Sequence, residues 1–322
     1  MPLYPISYSI PESTLVDDVP VKTRMYSVAH PIRYYRTPQT HDNEGAYYQN
    51  YREAAFGKTF KKGGWDCMRH YEILVNGCIP YFEDLAQCPK NTLTMIPRDL
   101  IFEGMKLAEI PFEEMDWEKY NDVVRRLLKY TREHLTTKCM AQYVMNKCNI
   151  QAKKVLILHF NNEYYMSHSM INGFKHCLGT NAVEYPHAEV LYEDYPEDRI
   201  KHFYGLGFSY TRRVPSAYKT NYNVYDIINQ IQNKEYDLIY YGINCDMNPS
   251  NVDFYKCLPL WNEVNQKYSP QQIAICCGQD GDPYERVPES IGQGCYHRDF
   301  HACSLKALSD RGYNVFIREL GD

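Results

Sequence analysis

Four short apolar runs in the second half of the chain, Val155 to Phe160, Asp237 to Tyr241, Ile273 to Cys277 and Asn314 to Ile317, alternate with segments of helical periodicity. A strand without a polar face has to be covered on both sides, and strands joined through helices pair in parallel. The sequence therefore predicts an α/β chain with parallel sheets. Helices are expected up to Gly179, over Tyr225 to Gln232, Asp253 to Tyr268 and Ser304 to Arg311. The first half carries the same alternation less regularly. It predicts strands at Leu3 to Ile10 and Arg24 to Ala29, a helix at Tyr48 to Phe56, and strands at Cys78 to Phe82 and Thr92 to Ile96. A helix from Cys67 to Val75 should be capped by Asp66 and ended by Asn76-Gly77. Asp116 to Cys148 should form two helices broken near Thr136-Thr137. The pattern restarts near 151, which predicts two domains, 1–150 and 151–322.

The chain has 322 residues, enough for two modest cores. A net charge of -5 argues against a nucleic-acid binder, which needs a basic excess to neutralise phosphates. No run approaches the roughly 20 apolar residues of a membrane span, and MPLYPISYSIPES lacks the layout of a signal peptide. A cytoplasmic location is the expectation. The 12 cysteines include no CxxC pair and are expected as reduced core thiols. Cys295, His297, His301 and Cys303 are metal-ligand types, but their spacing fits no common zinc pattern, so no metal is expected. The 31 tyrosines, several in doublets, are read as codon bias or as aromatic faces for stacking on sugar rings.

The densest chemical signal is KKGGWDCMRHYEILVNGCIPYF, Lys61 to Phe82. A glycine turn leads into a helix N-terminus, where free N–H groups and the helix dipole can hold a diphosphate. Lys61 or Lys62, Gly63, Gly64 and Arg69 would line that anion site, with His70 at the phosphate or sugar or simply packed. Glu72 lies on the face of Arg69 and can accept two ribose hydroxyls. The plainer alternatives are an ordinary turn, an exposed Arg69–Glu72 ion pair and a core Trp65. No GxGxxG follows a strand, so a dinucleotide oxidoreductase is disfavoured.

This segment resembles the donor-binding domain of two-domain, GT-B-type glycosyltransferases, in which a helix carrying a Glu precedes a small-residue–Gly–x–Pro turn, here Glu72 and Asn76-Gly77-Cys78-Ile79-Pro80. The GGWDxxRHxE–GCIPxF form is similar to the spore-maturation-type glycosyltransferases of bacteria and large DNA viruses, with echoes of exostosin-type enzymes. Val155 to Phe160, Tyr164 to Ser169, Gly173-Phe174-Lys175, Glu184-Tyr185-Pro186, Tyr236 to Ile239, Gly278 to Asp282 and Phe316 to Leu320 resemble that family's acceptor-side domain. The acidic run near 280 is only partly kept.

The resemblance implies two Rossmann-like domains facing across a cleft, here in circularly permuted order, with the donor domain first. Residues 1–10 and 313–320 should then lie near each other. It implies a glycosyltransferase moving a sugar from a nucleoside diphosphate sugar, UDP by default, to a glycan or glycoprotein hydroxyl without a metal, in viral glycan or glycoprotein synthesis. The alternative is a non-catalytic nucleotide-sugar-binding or scaffold module. The base is sought on loops leaving the strand ends, at Glu163, His168 or Asp280. Their plainer roles are loop solvation, helix packing and turn formation.

Overall fold

The apolar runs form strands in the computed structural model of the chain, which describes residues 3–28, 43–160, 164–200, 203, 207–243, 258–280 and 305–321. Nine strands are present among the described residues: β1 Leu3–Pro5, β2 Arg24–Tyr26, β3 Ala54–Thr59, β4 Ile79–Phe82, β5 Val155–His159, β6 Ala182–Tyr185, β7 Leu238–Ile243, β8 Ile273–Cys277 and β9 Asn314–Ile317. They make a six-stranded sheet, ordered β1-β9-β8-β7-β5-β6, and a three-stranded sheet, β2-β3-β4. Every pairing is parallel. This is a Rossmann-like α/β fold.

The principal helices are α1 Glu44–Arg52, α2 Met68–Val75, α3 Arg98–Met105, α4 Trp117–Tyr130, α5 Thr137–Lys147, α6 Tyr165–Leu178, α7 Val224–Gln232 and α8 Trp261–Lys267. The break at Thr136 follows from its extended backbone (ψ 155) and from a side chain that caps α5 through the Cys139 N–H. Gly77 ends the segment after α2 at φ 61, a conformation that costs glycine nothing.

Strand periodicity explains the continuous apolar runs. Ile157, Tyr240, Cys276 and Phe316 belong to the core on one face of the large sheet. Leu158, Tyr241, Cys277 and Ile317 belong to the core on the other. Both faces are covered, so no position in these strands is left for a polar residue to face water. The Tyr240-Tyr241 doublet is thus core packing, one ring to each face.

Two features join the halves of the sequence. Leu3, Tyr4 and Pro5 pair with Val315, Phe316 and Ile317, so the chain's first strand completes the edge of the second half's sheet. Helix α5 leans on α6: Thr137 donates to Asn172 Oδ1 at 2.6 Å, and a Cβ on Gly173 would sit 2.7 Å from the Thr137 carbonyl carbon. Residues 3–6 and 315–317 are therefore neighbours.

Several expectations are corrected. Residues 54–56 are strand, because β3 is held between β2 and β4. Thr92 to Ile96 forms no strand; Leu93 has φ 53 and Thr92 makes an isolated bridge to Glu319. The cap of α2 is Cys67, not Asp66. Residues 253–257, part of an expected helix, lie outside the described residues, as do Cys295, His297, His301 and Cys303. No helix of the described residues is long and apolar enough to cross a membrane.

Candidate functional site

The glycine turn meets the C-terminal ends of β8 and β9. A Cβ on Gly63 would lie 2.6 Å from Asp280 Oδ2, and one on Gly64 would lie 2.8 Å from the Glu319 carboxyl carbon. Only glycine permits that approach. The Glu319 carboxylate accepts from the N–H groups of Trp65 (3.0 Å) and Asp66 (2.8 Å). Two amides between the glycine turn and α2 are thus held by a carboxylate of the chain itself.

Arg318 organises this junction from full burial. Its Nε donates to the Gly278 carbonyl at 2.9 Å and its Nη1 to Glu319 Oε1 at 3.0 Å. It also donates to the Asp66 carbonyl and to Asp280 Oδ1, with its guanidinium 4.4 Å from the Tyr8 ring centroid. Burial pushes Glu319 up to about 7, although Arg318 and the two amides favour its charge. Asp66 accepts from the Tyr8 N–H and the Tyr71 hydroxyl instead of capping α2; burial raises its pKa against the pull of Arg318.

Further along α2, the expected residues divide. His70 is fully buried, with Nδ1 3.0 Å from Thr59 Oγ1 and Nε2 2.8 Å from the Trp65 carbonyl oxygen. It pins the turn. Trp65 is buried, and Lys61 Nζ lies over its ring at 5.5 Å. Glu72 is buried and accepts from Tyr47 (2.7 Å) and Ser209 (2.8 Å) hydroxyls, one on each carboxylate oxygen. No Arg69–Glu72 ion pair forms. Arg69 Nη1 is buried without an acceptor. Lys62, close enough to Arg69 for burial and their mutual repulsion to lower its pKa, likewise makes no ion pair among the described residues. Cys67 lies beside these cations; burial opposes its thiolate, but His70 and Arg69 outweigh that and bring it to about 7.

A second group lies at the ends of β5 and β6. His168 lines a recess with Tyr165, Val190, Phe208 and Tyr210. Burial pushes it down to about 3, so it is a neutral imidazole at ordinary pH. His159, at the end of β5, places both ring nitrogens 2.8 Å from carbonyl oxygens, those of Phe160 and Pro186. It is within electrostatic reach of both His168 and His187. Glu184 lies beneath, fully buried, 2.6 Å from Lys175 Nζ and 2.6 Å from His187 Nδ1. Ser209 links the two groups, because its segment borders the recess and its hydroxyl reaches Glu72.

Of the three candidate bases, Asp280 is tied to Arg318, His168 borders the recess, and Glu163 lies outside the described residues. No group of three or more His, Cys, Asp or Glu among the described residues could hold a metal ion. Sequence reasoning assigned no role to Arg318, Glu319, Glu184 or His187. For Arg318 and Glu319 the available signal was position: charged residues directly after an apolar strand, where parallel sheets bind ligands. No family model, curated protein or solved structure matches the chain.

Proposed function

We propose that the chain transfers a sugar from a nucleoside diphosphate sugar, UDP by default, to a hydroxyl of a glycan or glycoprotein. Residues 61–72 hold the donor, and the C-terminal ends of the six-stranded sheet present the acceptor across a cleft. The observation that carries this reading is Arg69. A buried guanidinium N–H without an acceptor costs about 1–3 kcal/mol, and such an orphan calls for a missing partner. Here it lies in the first turn of α2, beside Lys62, where an anion is favoured on three counts. Glu72 already accepts one hydroxyl on each oxygen, the pattern a ribose diol presents. Donor entry then displaces Ser209 from Glu72 and Glu319 from the turn.

The permuted GT-B arrangement belongs to the same proposal. Without β1, the large sheet runs β6-β5-β7-β8-β9, a doubly wound order counted 2-1-3-4-5 from β5. Strand β1 takes the sixth place, beside β9, which supports the permuted reading.

Titration calorimetry against UDP, GDP, ADP, CDP and dTDP tests the reading. One nucleotide should bind, and Arg69→Ala should weaken it at least about 10-fold, the loss of a charge-assisted hydrogen bond. Failure of all five to bind rejects the donor site. The second reading, a binding module without turnover, is favoured by Asp280 being held by Arg318. Nucleotide binding with no sugar release from any sugar conjugate of the nucleotide that binds would select it.

A further inference from the structure

We infer that His187, oriented by Glu184, is the general base of this site and takes its proton from a hydroxyl of a sugar acceptor. The inference rests on the donor reading above for what that hydroxyl attacks. Glu184 sits in β6 and His187 two residues past the strand end, on the edge where doubly wound sheets place their ligands. Glu184 Oε1 lies 2.6 Å from His187 Nδ1 and accepts from Tyr192 Oη at 2.5 Å. The carboxylate therefore holds the proton on Nδ1. Nε2 is left bare and makes no hydrogen bond among the described residues. That is the arrangement a base needs: one nitrogen fixed by an acid, the other open.

The surroundings fit the role. Lys175 Nζ, 2.6 Å from Glu184 Oε2 and itself fully buried, supplies the counter-charge. Burial opposes the Glu184 charge, but His187, Lys175 and Tyr192 together hold its pKa below the ordinary value. The His187 ring stacks on Tyr192 at 5.0 Å, which fixes its plane, while 28% of its side chain stays exposed. The other groups facing it are His159, already engaged with two carbonyls, and the Lys219–Asp194 pair beyond Tyr192. Val190, on the segment that follows His187, lines the recess with Tyr165, Phe208 and Tyr210.

In the step itself, the acceptor oxygen bonds to the donor's anomeric carbon as its proton passes to His187 Nε2. The bond from that carbon to the diphosphate oxygen breaks, and its electron pair leaves with the nucleoside diphosphate. Glu184 stabilises the imidazolium, which returns its proton to solvent.

The test combines UDP release from UDP-glucose, with octyl glucoside as acceptor, and long-range 15N NMR of the histidine rings in the full chain. His187→Ala should lower the rate about 10²–10⁴-fold with UDP affinity unchanged, and added imidazole should restore part of it. In the unmutated chain His187 should carry its proton on Nδ1. Turnover by His187→Ala at the unmutated rate overturns the assignment, and so does a proton on Nε2. If the unmutated chain binds none of the five nucleotides, the donor reading falls and the transfer step with it; the 15N tautomer then decides the dyad by itself.

Discussion

Replacing Glu319 by Gln should change how stability depends on pH. Glu319 is 2% exposed, packed under Gly64 and bound to two amides and Arg318. Burial lifts its pKa from 4.5 to about 7. A carboxyl with a raised folded pKa binds its proton more tightly when folded. Its contribution is therefore full below the unfolded value and is lost as pH rises through the folded one. The rise corresponds to about 3 kcal/mol of stability lost across that window. Glu319→Gln keeps the shape and removes the titration. Urea unfolding of both proteins at pH 5, 6, 7 and 8 isolates the effect. Glu72, whose pKa burial also raises, titrates in both proteins and cancels in the difference; Asp66, whose charge helps raise Glu319, is coupled to it and contributes to the same pH-dependent gap. Glu319→Gln should be the less stable protein at pH 5, because one amide loses its acceptor, and the gap should shrink by about 3 kcal/mol towards pH 8. A gap that stays constant or widens with pH would refute the reasoning. It would mean that Arg318 and the amides outweigh burial.

Gly173→Ala should destabilise the chain by more than about 2 kcal/mol in urea melts, because its Cβ meets the Thr137 backbone, which cannot swing aside as a side chain can. Lys175→Met should cost about 3–5 kcal/mol, since it leaves the Glu184 carboxylate buried without its cation; a thermal or urea midpoint near that of the unmutated chain would contradict this. His168, brought to about 3 by burial, should show no titration in its ring 13C shifts between pH 5 and 8. A titration inside that window would show that its recess is wet.

Strands β5, β7, β8 and β9 were legible for one reason. Each is buried on both faces, so burial writes a continuous apolar run that needs no knowledge of its neighbours; the edge strand β6, AVEY with a buried Glu184, carries no such run. The helix after the glycine turn was legible because Asn76-Gly77 stops it and its apolar periodicity is local. Strand β3 was not. Its sequence, AAFGKT, follows a helix without a break in composition, and its strand identity comes from pairing between β2 and β4. Asp66 was misread for a related reason. An acid before a helix is locally a cap, but the Tyr8 N–H, 58 residues away, competes for it and wins.

The sequence by itself determined the α/β class, the parallel sheets, the glycine turn and the helix that follows it, because these depend on periodicity and on backbone freedom within a few residues. Tertiary structure decided the rest. It brought Glu319 onto amides 253 and 254 residues earlier, paired Glu72 with hydroxyls, left Arg69 Nη1 without an acceptor among the described residues and set Glu184 against Lys175 and His187. The physical reason is desolvation. A charged side chain removed from water must find partners wherever the fold brings them, and no local pattern records which distant group will be there.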